Sequence, residues 1–74
     1  MDTRKIREDA IATARAWVAH KGADYAQARA TRGSLPDRND LRDLAQIVGH
    51  KPTKDELDIY RTAFKVAVWQ AQYD

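Results

Sequence analysis

The sequence predicts an all-α fold, a small bundle of three long or four shorter helices. Apolar residues recur at helical spacing along most of the chain, and no stretch alternates with the period of two that a half-buried strand would show. Helix stops and starts punctuate that pattern in the expected order: Gly or Pro after an apolar run, then Asp or Thr ahead of the next. At 74 residues the chain is one domain, spanning 1–74.

The first helix is expected over about 4–21. Ile6, Ala10, Ala14, Trp17 and Val18 share one side, with Ile11 at its edge, while Arg4, Lys5, Glu8 and Arg15 lie opposite. Asp2 or Thr3 supplies a short side-chain oxygen to accept unpaired backbone N–H groups at its start. Gly22 then poses a choice. Either the helix breaks there and a second one over about 24–32 begins at an Asp24 cap, or a single helix runs on to Arg32. An interior glycine costs only about 1 kcal/mol relative to alanine, so both readings stand, with the break preferred. In either case the segment "GSLPDRND" ends the run, because Gly33 and Pro36 exclude continued helix.

The third helix is expected over about 40–48, capped by Asp37, Asn39 or Asp40, with Leu41, Leu44, Ala45 and Val48 on its apolar face. Gly49 suits a left-handed stop and Pro52 prevents direct resumption. Thr53 and Glu56 then form a T-x-x-E capping box, in which each side chain accepts from the other residue's backbone N–H. That places the last helix over about 54–73.

The stretch from Leu41 to Leu57, two helices about a glycine, shares the grammar of a DNA-reading helix-turn-helix. Ala45 lies four residues before Gly49, as that motif requires. The second half departs from it. Positions that should pack the recognition helix hold Asp55 and Asp58, and apolar residues arrive later, at Leu57 and Tyr60. The first turns of such a helix meet base edges and phosphates, yet here they carry Lys54 against Asp55, Glu56 and Asp58. These acids suit the positive end of the helix dipole instead.

Charge and composition narrow the classes further. The net charge is only +2, with a sequence pI near 9.2. Up to residue 38 there are eight basic and five acidic side chains, and beyond it five and six, so any polyanion surface belongs to the first half. Cysteine is absent, so neither disulfides nor thiolate metal sites staple the fold. The charged start "MDTRKIRED" does not resemble a signal peptide, and no apolar run approaches the ~20 residues of a membrane span. A cytoplasmic protein without membrane contact is expected.

No catalytic set emerges. His20 and His50 are the only histidines, too few for a zinc site, and "DRND" at 37–40 lacks the glycine and terminal glutamate of a calcium loop. Ser34 has no evident base beside it. The sequence therefore predicts neither an enzyme, nor a cofactor, nor a metal.

The last helix carries the most specific signal. At about 100° per residue, Leu57, Tyr60, Phe64, Ala67, Val68 and Ala71 form one face. Ile59, Ala63, Val66 and Tyr73 form a second on nearly the opposite side, with Trp69 at the border. A surface helix needs one apolar face, and a second implies either a central position or a partner. Ile59, Val66, Trp69 and Tyr73 are thus the candidate partner-binding residues. In the first half, Tyr25, Arg29 and Arg32 share a helical face, and together with Arg38 they are the candidate contacts for an anion or nucleic acid.

These readings point to a small regulator or inhibitor acting by protein–protein binding through the aromatic face of the last helix, in the manner of accessory proteins carried by phages and mobile elements. The partner's identity is not encoded. The first alternative is a nucleic-acid-binding regulator using the basic first half, and the second is a structural homodimeric bundle.

Overall fold

The computed structural model describes residues 3–31 and 37–72. They form four helices: α1 (Thr3–Lys21), α2 (Ala23–Thr31), α3 (Arg38–Val48) and α4 (Lys54–Ala71). No strand occurs among the described residues. The expected Asp2 cap and the Gly33–Pro36 turn lie outside them, as do Arg32 and Tyr73 at the expected helix ends. Thr3, the alternative cap, is already the first residue of α1.

Gly22 breaks the first helical run, and does so without a linker. Its φ of +94° lies in the region that side chains disfavour. Its N–H still donates to the Val18 carbonyl at 3.0 Å, and its own carbonyl accepts from Ala26 N–H at 3.1 Å. One residue thus closes α1 and opens α2. Asp24 is consequently not the cap. It sits within the first turn of α2, where its charge still favours the helix dipole.

Of the three candidate caps for α3, Asp37 takes the position. Asp40 N–H donates to its carboxylate at 2.9 Å, while Asp37 N–H donates to Asp40 at 3.2 Å. Gly49 ends α3 at φ +79°, its N–H donating to the Ala45 carbonyl. Thr53 and Glu56 form the expected box, at 2.8 Å from Thr53 N–H to Glu56 Oε1 and 3.2 Å from Glu56 N–H to Thr53 Oγ1.

α1 touches all three other helices: α4 packs along it and also against α2, α2 packs on α1, and α3 rests on α1. The buried core is Ile6, Ala10, Ala14, Ala26, Ala30, Leu44, Tyr60, Phe64, Ala67 and Val68. Half of these are alanines, so α1, α2 and α4 approach closely and the two rings of α4 fill the space between them. Leu41 departs from expectation: placed on the apolar face of α3, it is exposed, because only α1 lies beneath that helix.

Replacing Gly22 with alanine tests the joint. A Cβ there meets nothing within 4 Å, so any cost is conformational. Gly22→Ala should lower unfolding free energy by about 1–2 kcal/mol in urea melts. A loss below about 0.5 kcal/mol would mean that α1 and α2 merge into one helix.

Candidate functional site

The outer face of α4 is the most distinctive surface. Its inner face (Tyr60, Phe64, Ala67, Val68) is buried, and Ile59 and Ala63 are half-buried where they lean on the core. Val66 and Trp69 remain open to solvent, keeping 48% and 59% of their surface exposed. Among the described residues only α1 and α2 pack against α4, so its other side meets solvent. Tyr73, the fourth candidate of this face, lies outside the described residues.

Two apolar grooves flank the ridge. Between α2 and α4, a groove of about 310 Å³ is lined by Ala30, Val66, Val68 and Trp69, with Gln27 and Lys65 at its edge. A hydrogen bond from Gln72 Nε2 to Gln27 Oε1, 3.0 Å, ties the same two helices. Between α1 and α4, a second groove of about 510 Å³ is lined by Ile11, Ile59, Ala63 and Val66, with Arg7 and Asp58 at its rim. Val66 belongs to both, so the ridge is a narrow apolar crest with a hollow on either side.

The basic candidates fare differently from one another. Tyr25 and Arg38 are exposed, and Arg32 lies outside the described residues. Arg29 does not sit on an open basic face, as the sequence suggests. Its side chain is only 14% exposed, it is ion-paired to Asp37, and its Nη2 lies 3.5 Å from Asp40 Oδ2. Its guanidinium lies 4.4 Å from the centroid of Trp17, on which Tyr25 also stacks at 5.5 Å. Burial by itself would lower the Arg29 pKa, but the bonds and charges of Asp37 and Asp40 outweigh it and hold the group charged. Asp40 N–H, joined by Arg29, holds the Asp37 carboxyl below its ordinary range, while burial raises Asp40. Arg29 therefore fastens α2 to the capping box of α3. The signal in the sequence was an arginine eight residues ahead of a paired Asp cap, which helical periodicity does not reveal.

Three further polar features were not anticipated. His50 Nε2 lies 2.9 Å from Glu56 Oε1, so the buried Glu56 carboxylate serves both the cap of α4 and the loop before it. Thr53 N–H, and then His50, hold its pKa below the usual value of 4.5. On the other side of the core, Asp9 is raised by burial and by the charges of Asp43 and Asp40 across the α1–α3 contact. The Tyr60 hydroxyl is buried beside Thr13 without a hydrogen bond of normal geometry, and burial pushes its pKa up.

Among the described residues no cluster of three or more His, Cys, Asp or Glu is placed to hold a metal ion. No helix there is long and apolar enough to cross a membrane. No family model, curated protein sequence or solved structure matches this chain.

Arg29→Ala should cost about 2–3 kcal/mol in urea melts, less than a fully buried pair would, because Asp37 remains 37% exposed. Acid titration of stability separates the carboxylates by sign. Glu56 has a lowered folded pKa, so the deficit of Glu56→Gln should be full above pH 4.5 and shrink as pH falls below it. Asp9 has a raised one, so Asp9→Asn should gain stability at neutral pH. That gain should fade as pH drops through the folded pKa and vanish below 3.8.

Proposed function

We propose that this protein is a non-enzymatic regulator or inhibitor that acts by binding a polypeptide through the outer face of α4. One observation carries the reading. Val66 and Trp69 stand exposed on a helix whose opposite face forms the core, with an apolar groove on each side. Contiguous apolar surface of this kind marks interaction sites, and tryptophan is among the residues that concentrate binding energy there. Lys65, Arg7 and Asp58 supply a polar rim around the apolar centre, the usual anatomy of a protein interface. The mechanism is occlusion: a partner surface seated on the crest is withheld from its other ligands. A cytoplasmic setting accords with the cysteine-free composition.

The nucleic-acid alternative draws less support. Arg29, the centre of the candidate basic face, is directed at two carboxylates, and the start of α4 exposes Asp55 and Asp58.

A photo-crosslinking residue at position 66 or 69, in the native cells, should yield polypeptide adducts that the same residue at exposed Arg42 on α3 does not. Equal yields from all three positions, or none, would sink the reading. Trp69→Ala should weaken partner binding at least about tenfold. It should cost no more than about 2 kcal/mol of stability and leave the chain folded, because more than half of the side chain is exposed.

A further inference from the structure

Resting on that reading of α4 as a binding face, we propose that its occupant is a second copy of this chain. The two α4 helices pack antiparallel about a two-fold axis near Thr62. Spacing and charge support it independently.

Along α4, Ile59, Thr62, Val66 and Trp69 recur at alternating intervals of three and four residues. That is the seam by which one helix packs along another. The core of this chain uses a different face of α4, through Tyr60, Phe64, Ala67 and Val68; of the seam only Ile59 leans on it, and Thr62, Val66 and Trp69 are left for a second helix outside the fold. Thr62 stands at the middle of α4 and is exposed and small, which lets two backbones cross closely.

Charge sets the direction. Asp55 and Asp58 lie in the N-terminal half of the exposed face, and Lys65 lies in the C-terminal half. An antiparallel pair centred on Thr62 brings Lys65 of each copy beside Asp58 of the other, twice by symmetry, whereas a parallel pair would set Asp58 against Asp58. Asp58 also lies 3.6 Å from Arg61 on its own helix. Both side chains are solvent-exposed, and such a pair holds its partners weakly. The helix dipoles favour the antiparallel direction too.

Trp69 lies near the C-terminal end of the seam, and a two-fold axis near Thr62 sets each indole over the N-terminal part of the partner's α4. The interface is self-complementary, as a closed dimer demands. One helix face with its grooves falls at the small end of stable interfaces, about 1,200 Å² in total, so dimerisation should be in the micromolar range.

Sedimentation equilibrium of the full chain, from about 1 µM to about 1 mM, tests this. The expected result is a reversible monomer–dimer equilibrium that Trp69→Ala weakens at least about tenfold. Asp58→Lys and Lys65→Asp should each weaken it about three- to tenfold, and the double swap should restore it. Restoration separates specific pairing from general loss of structure. A monomer throughout the range overturns the proposal, as does a dimer indifferent to Trp69 and to both charges. The two readings fail separately. Cross-links from position 69 to a foreign polypeptide, with the pure protein monomeric, remove self-pairing but keep α4 as a binding face. Absence of both cross-links and dimer removes the two together.

Discussion

Tyr60 and Phe64, one helical turn apart on α4, are the two largest fully buried side chains among the described residues. Their rings fill the space that the alanine faces of α1 and α2 leave. Because Ala10, Ala14, Ala26 and Ala30 offer so little bulk, the first two helices can reach the core only by closing on those rings. This makes the α1–α4 pair the spine of the molecule, and it also fixes the limit of the fold. Two helices pressed to one side of a third leave its other side to solvent, and α3, resting on α1, is too far round to help. The exposed crest of Val66 and Trp69 is thus the direct counterpart of the aromatic core behind it.

A core so rich in alanine buries little apolar surface per residue, so polar contacts carry an unusual share of the organisation. Arg29 reaches from α2 to both members of the α3 capping box and covers the ring of Trp17 on α1, joining three helices through one guanidinium. Glu56 plays a comparable part at the other junction, where it accepts from Thr53 N–H and meets His50 across the loop. Together with Gly49, these contacts set the direction in which α4 leaves the turn, and so decide which of its faces looks outward. The segment that resembles a helix-turn-helix owes its form to that junction, where its acids cap and aim α4.

Local rules sufficed for the helical character of the chain and left three or four helices open at Gly22. Gly49, Thr53 and Glu56 act through their own backbone and near neighbours, and their roles were legible for that reason. The two faces of α4 were legible as well, because periodicity is a property of a single helix. Contacts between elements were not. Arg29 looked like part of a solvent-facing basic set because sequence spacing places it beside Tyr25 and Arg32, and nothing local says that Asp37 and Asp40 will fold back onto it. The same holds for His50, Asp9 and the exposed Leu41, whose surroundings are supplied by other helices.

The order of residues was thus enough to specify an all-helical chain, most of the places where its helices stop and start, and more apolar surface on α4 than one core requires. Which of that surface is covered emerged only from the packing of the four helices. Capping and periodicity are settled within one or two turns of chain. Burial depends instead on how many neighbours a helix acquires, and α4 acquires them on one side only.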